Sequence, residues 1–180
     1  TPFIDGLVCD ACGVPLPGEG GHELCDDCLH TPRPWAHGRA AMLYGGQARH
    51  LVLALKHADR LDLAPALAGW MARAAAPILT GGMIVAPVPL AWARMMRRRA
   101  NQSAVLAGAL CRTEIGRAAG LRAMPDLLMR TRNTGTQDGL SHDARFLNMA
   151  GAVAVRPRRV AALAGQPVLL VDDVMTSGAT

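Results

Sequence analysis

Val168-Leu169-Leu170-Val171-Asp172-Asp173-Val174-Met175-Thr176-Ser177-Gly178-Ala179-Thr180 joins an apolar run to two carboxylates and then to a loop of hydroxyls and glycine. The run, introduced by Gln166-Pro167, fits a strand buried on both faces. Such a strand delivers Asp172 and Asp173 to the carboxyl edge of a sheet, where parallel α/β sheets bind ligands. In the loop that follows, successive backbone N–H groups and the Thr and Ser hydroxyls can form an anion nest. A helix starting just beyond would add its positive N-terminus. Carboxylates do not bind phosphate, but they accept hydrogen bonds from sugar hydroxyls or hold Mg2+, directly or through water. The combination suits a phosphorylated sugar, with the acids on a ribose diol and the nest around a 5′-phosphate.

Outward from this segment, apolar periodicity alternates between strand and helix. Met83-Ile84-Val85-Ala86, bounded by Pro87, reads as a second buried strand, and Ala152–Val155 as another extended run. Leu127-Leu128-Met129 reads as a weaker strand, and residues 40–44 as a short extended run. Helical spacing appears around Leu51 and Leu55, over residues 64–76 and over residues 101–118. Ser141 caps a predicted helix from His142 to Met149. Buried strands alternating with amphipathic helices predict an α/β domain with a mostly parallel sheet.

The other end of the chain is built differently. Cys9-Asp10-Ala11-Cys12 and Cys25-Asp26-Asp27-Cys28 give the pattern C-x2-C-x12-C-x2-C. Two such knuckles can hand four thiolates to one tetrahedral Zn2+. Gly13 follows the first knuckle, where a tight turn lets backbone amides face the sulfurs. Large apolar residues are few here, so metal binding would supply the folding energy. Four thiolates leave no open coordination position, which favours structural over catalytic zinc. Disulfides would require an oxidising compartment. The opening Thr1-Pro2-Phe3-Ile4-Asp5 has neither the basic start nor the apolar core of a secretory signal, so a cytoplasmic location is expected. No apolar run approaches the roughly 18 residues of a membrane helix, so no membrane insertion is expected. Cys111 lies in an apolar helical stretch and reads as a small buried hydrophobe.

Charge divides the chain at the same place. Residues 1–32 carry six acidic residues and no Lys or Arg, whereas residues 33–180 carry all 19 basic and the other eight acidic residues, a balance of −6 against +11. An acidic zinc ribbon over 1–32 and a basic body over 33–180 are therefore expected. Lys56 is the only lysine; every other basic residue is Arg, the better fork for phosphate. Hydrophobic residues make up 51% and charged residues 18% of the 180, which excludes disorder as the main state. Aromatics at 3% argue against a surface that stacks many bases.

The terminal segment resembles the phosphoribosyl pyrophosphate (PRPP) loop of type I phosphoribosyltransferases, and the whole chain resembles the ComF family, which joins a zinc ribbon to such a domain. Several stretches match in order after the cysteine knuckles: Tyr44-Gly45-Gly46, Leu55-Lys56, Val85-Ala86-Pro87-Val88-Pro89-Leu90, then Arg97-Arg98-Arg99-Ala100-Asn101-Gln102-Ser103. Arg130, Arg132, Thr134, Gln137, Gly139 and Leu140 follow, and then Arg145, Asn148 and Gly151. The resemblance implies PRPP binding by Asp172, Asp173, Thr176, Ser177, Gly178, Ala179 and Thr180. It offers Pro87, Val88, Arg97, Arg98, Arg99, Asn101, Gln102, Arg130, Arg132 and Gln137 as pyrophosphate or phosphate contacts, and Mg2+ as the ion that accompanies PRPP. Ala100 departs from an aromatic common in the family, and Ser177 from a threonine. The chain stops ahead of the helix and strand that would complete the nest, so a fragment is expected.

Three functions stay open on this reading. The first is a PRPP-binding, phosphoribosyltransferase-like protein linked to natural competence and DNA uptake, with glycosyltransferase chemistry unassigned because no general base or acceptor site is visible. The second is single-stranded DNA binding by the basic body. The third is an adaptor whose acidic head recruits a helicase-like partner.

Overall fold

All four residues of strand β1 (Ile84–Pro87) are buried, because a helical layer covers one of its faces and a second apolar cluster around Leu127 the other. The structure, a computed structural model, describes residues 3–18, 20, 23–57, 60–90, 100–134, 141–176 and 178. β1 is the middle of a three-stranded parallel sheet, between β2 (Arg122–Ala123) and β5 (Val168–Val171). The register pairs Ile84 with Val168 and Pro87 with Val171, so both strands end together. Strands β3 (Leu128–Arg130) and β4 (Val153–Val155) pair antiparallel as a separate ribbon. The body is thus mixed α/β with a parallel sheet. The antiparallel pair and the two-residue β2 were not expected.

Alternation along β1 sorts the core into two layers. Val85 joins Leu55, Leu67, Leu106, Leu110, Leu121 and Val171 in the larger core. This lies under helices α2 (Gly46–His57), α3 (Ala64–Ala75) and α4 (Gln102–Arg112). Ile84 and Ala86 face the other way, onto Leu127, Val155, Leu163 and Val168. α3 packs on α4, and α4 lies on β1 and β5. Cys111 packs against the larger core, where burial pushes its thiol up.

Two expectations about element boundaries need correcting. The single helix read over 101–118 breaks at Thr113. Its hydroxyl donates to the Leu110 carbonyl at 2.7 Å and accepts from the Gly116 N–H at 3.0 Å. That ends α4 and caps a separate α5 (Glu114–Ala118). The extended run over 40–44 forms only one isolated bridge, Met42 with Phe3. Ser141 does cap α6 (His142–Met149), accepting from the Ala144 N–H at 3.3 Å.

The cysteine-rich head is held by turns rather than by a core. Among its described residues the buried apolar side chains are Cys9 and Cys28. Helix α1 (Asp26–His30) starts after Cys25 and carries Cys28. The head meets the body through Phe3, whose ring stands edge-on to Trp70 at a centroid distance of 5.0 Å. Among the described residues, no helix is long and apolar enough to cross a membrane.

Candidate functional site

The four cysteine sulfurs converge. The Sγ atoms of Cys9, Cys12, Cys25 and Cys28 all lie within 4.8 Å of one another, and none is in a disulfide. Four sulfurs at about 2.3 Å from one ion form a tetrahedron with edges of about 3.8 Å. The Cys12–Cys25 separation of 3.7 Å matches that edge. Each knuckle closes by a short turn: the Gly13 N–H donates to the Cys9 carbonyl at 2.8 Å, and the Cys28 N–H to the Cys25 carbonyl at 2.9 Å. Burial pushes the Cys9 thiol up, but hydrogen bonds from the backbone of Cys25, Cys12 and Ala11 and from the Cys12 side chain outweigh it and bring it down to about 6, whereas burial pushes the thiols of Cys12 and Cys25 up. Thiols this close ionise together only with a cation among them. The Nε–H of Arg33 donates to the Cys28 sulfur at 3.3 Å, and Arg33 also pairs with Asp27. A buried cation against a ligand sulfur offsets the excess charge of four thiolates. Donor set, spacing and charge balance fit a metal ion such as zinc.

The second cluster sits where β1 and β5 end. Val88 donates its N–H to the Val171 carbonyl at 2.9 Å, so the strands stay joined up to Asp172. Asp172 Oδ1 accepts from the Ser103 hydroxyl at 2.9 Å and from the Asp173 N–H at 2.9 Å. Burial raises the Asp172 carboxyl to about 6, and the neighbouring Asp173 charge adds to the rise. Asp173 Oδ1 lies 2.9 Å from Lys56 Nζ, at the far end of α2. α4 starts at the same edge. Its cap, Asn101, accepts from the N–H groups of Ser103 and Ala104 and donates to the Val88 carbonyl at 3.2 Å.

The structure gathers Pro87, Val88, Asn101, Gln102, Asp172 and Asp173 around one sheet edge. Gln102 is fully buried behind it. Arg130 donates to the Pro89 carbonyl at 3.1 Å and to the Thr134 hydroxyl at 2.9 Å. Arg132 instead donates to the carbonyls of Asn148 and Ala150 at the end of α6. Thr176 lies 3.4 Å from a guanidinium nitrogen of Arg145. Gly178 adopts φ +73°. Arg97, Arg98, Arg99, Gln137, Ser177, Ala179 and Thr180 lie outside the described residues.

The sequence reading passed over three participants in this site. Lys56 stood out as the only lysine but was given no partner. Ser103 lay inside a quoted motif without a role. Arg145 stood only in a stretch that matches the family, without a role. The single-lysine composition was the one signal that could have singled any of them out.

A parallel-sheet α/β body with a four-cysteine head that fits a metal ion is the class that fold and sites define. The chain is 31% identical to DNA utilization protein YhgH of Escherichia coli strain CFT073 over 182 residues, which cover 98% of this chain and 75% of that protein. The namesake of Escherichia coli K12 gives the same identity and coverage. That of Salmonella typhi is 32% identical over 181 residues, 96% of this chain and 74% of the relative. The chain belongs to this YhgH family. No family model and no solved structure matches it.

Proposed function

We propose that the chain binds PRPP or a related sugar phosphate at the carboxyl end of β5, on a phosphoribosyltransferase-like body, and that it serves DNA uptake or utilization. The observation that carries the ligand reading is the half-buried Asp172–Asp173 pair at the joint end of two parallel strands, next to the start of α4 and ahead of a hydroxyl-rich loop. In this reading Asp172 and Asp173 accept the ribose hydroxyls. Thr176 and the residues after it cradle the 5′-phosphate, with Arg145 adding a cation at Thr176. Lys56 balances the acid pair and stands ready to face the diphosphate.

Mg2+ would arrive with the diphosphate and neutralise part of its charge. If transfer occurs, an acceptor's lone pair forms the new bond at the anomeric carbon, and the bond to the diphosphate oxygen breaks with its electrons leaving on that oxygen. The residues of this chain would contribute orientation and charge stabilisation. The four cysteines hold structural zinc in this reading, each donating one thiolate.

A thermal-shift titration with PRPP and Mg2+ tests the ligand. The zinc-loaded chain should gain melting temperature by mass action, and an Asp172→Asn/Asp173→Asn variant should not. No shift in the folded wild type overturns the reading.

The relatives named for DNA utilization favour a second activity, single-stranded DNA binding by the +11 body. Phosphate contacts predict a steep, linear fall of log affinity with log salt. Several arginines are already engaged: Arg39 with Asp10, and Arg158 and Arg159 with Asp126. Arg97→Ala/Arg98→Ala/Arg99→Ala should flatten the salt slope; an unchanged slope removes that segment from the interface. Deleting residues 1–32 separates the adaptor alternative, since a helicase-like partner would be lost while DNA binding survives.

A further inference from the structure

We propose that Trp35 couples the metal centre to Gly178, so that loading of the four cysteines sets the position of the Gly178 backbone and with it the affinity for an anion held there. The proposal rests on the sugar-phosphate reading for its ligand, but the contact chain behind it stands apart from that reading.

The indole bridges two sites that are remote in sequence. At one end its Nε1–H donates to the Ala11 carbonyl at 2.6 Å. Ala11 lies inside the first knuckle, between Cys9 and Cys12, and its carbonyl direction follows from the turn that brings both sulfurs to one ion. At the other end the benzo ring lies on Gly178. A Cβ at Gly178 would stand 2.7 Å from Cη2, 3.4 Å from Cζ2 and 3.7 Å from Cζ3 of Trp35. Gly178 is therefore required twice, by its φ of +73° and by the ring pressed against it.

The segment that carries Trp35 is clamped to the metal centre on both sides of the ring. Arg33 donates to the Cys28 sulfur, Gly38 donates its N–H to the Asp10 carbonyl at 3.0 Å, and Arg39 pairs with Asp10 at 2.7 Å. A Cβ on Gly38 would lie 2.5 Å from the Ala11 oxygen, and one on Gly13 would lie 2.8 Å from Arg39 Cα. Backbones that close leave no room to slide independently. A knuckle that relaxes without its ion takes this segment with it, and a planar indole passes the displacement on to Gly178. Coupling of this kind is reciprocal: whatever factor the metal adds to anion affinity, the anion adds to metal affinity.

The experiment uses the full chain, with PRPP and Mg2+ as the probe and a zinc chelator as the challenge. Zinc-loaded wild type should bind PRPP at least about fivefold more tightly than the metal-depleted chain, and saturating PRPP should raise its apparent zinc affinity by the same factor. Trp35→Phe removes the N–H and shortens the ring. It should bind both ligands with the coupling gone. Equal PRPP affinity with and without zinc, in chains whose far-ultraviolet circular dichroism shows a folded body, overturns the proposal. So does coupling that survives in Trp35→Phe.

If zinc-loaded wild type binds no PRPP, the ligand reading falls and a second arm decides the coupling. In a Trp70→Phe/Trp92→Phe background, emission reports Trp35 alone. Gly178→Ala in zinc-loaded protein should shift that emission and weaken zinc retention against the chelator. Gly178→Ala should have no such effect on zinc retention once Trp35 is Phe. Unchanged emission and unchanged zinc retention overturn the coupling whatever the ligand.

Discussion

The chain holds two clusters of groups that repel one another when ionised, and it treats them in opposite ways. The four thiols of the head surround a space that fits one cation, with Arg33 already set against a sulfur. The two carboxyls at the end of β5 are half-buried beside each other with one hydroxyl, one N–H and one ammonium between them, and burial together with the Asp173 charge still pushes Asp172 up to about 6. The first cluster is a source of stability once loaded, because little else in the head is buried. The second is a cost carried by a body whose stability comes from elsewhere. The two clusters are thus separated by the sign of their effect on stability.

Breaking the first cluster should have the largest effect. Structural zinc supplies apparent binding free energies of about 10–16 kcal/mol in small domains. A head whose buried apolar side chains are Cys9 and Cys28 has no reserve against that loss. Cys25→Ser should release the metal and unfold the head, seen as zinc content by atomic absorption and loss of amide protection over residues 3–32. The body should keep its helical circular dichroism. A head that stays protected without metal would place its stability in the contacts with Phe3 and the segment around Trp35.

The body should instead yield to loss of carbon. Leu110 is 1% exposed in the larger core, between α3 and the sheet. Leu110→Ala should cost about 3 kcal/mol, from lost transfer free energy and a residual cavity. Urea unfolding of the zinc-loaded chain would measure it. The head's zinc affinity should move little in the same variant.

Asp172→Asn should go the other way and stabilise. A carboxyl whose folded pKa is raised binds its proton more tightly in the native state. Its ionised form therefore opposes folding above about pH 6, and the penalty fades as pH falls toward the unfolded value near 4. At pH 7.5 the Asn variant should be more stable by on the order of 2 kcal/mol, with the difference vanishing near pH 4. Asn keeps an oxygen for the Ser103 hydroxyl, so the comparison isolates charge. Paired thermal melts across that range check it; a variant less stable at pH 7.5 would mean that the carboxylate is a structural anchor.

Local chemistry in the sequence carried both clusters. Cysteine spacing announces a tetrahedral site because the ligands come from two short turns, and an apolar run followed by acids announces a sheet edge because strand direction is local. What joins distant segments left no such mark. Lys56 reaches Asp173 because its neighbour Leu55 and Val171, at the end of β5, share one core, and helical periodicity says which face is apolar without saying which strand it will meet. Trp35 meets Ala11 and Gly178 from a stretch with no regular structure, where no period exists to read. Strands β3 and β4 pair antiparallel although α6 lies between them, a spacing that equally suits a parallel crossover. Thr113 did leave a signal, a hydroxyl followed at once by Glu114, and apolar periodicity on both sides masked it.

Lys56→Met sharpens the comparison at its finest point, because Lys56 does at the sheet edge what Arg33 does in the head. The ammonium and Asp173 are both largely shielded from solvent, so the pair lies between an exposed ion pair and a fully buried one. Its loss should cost about 1–2 kcal/mol, above the range of exposed pairs and below that of buried ones. The direction at Asp172 is also fixed. Lys56 is among the groups that hold the Asp172 carboxyl down, so its removal should move the titration of Asp172 upward. The pH at which the Asp172→Asn comparison changes should then move upward in a Lys56→Met background. Carbon-13 chemical shifts of the Asp172 carboxyl, followed from pH 4 to 8 in both backgrounds, read the same change directly. A midpoint that does not move would mean that the ammonium acts on Asp173 alone, and the two acids would then be separate sites sharing an edge rather than one charged unit.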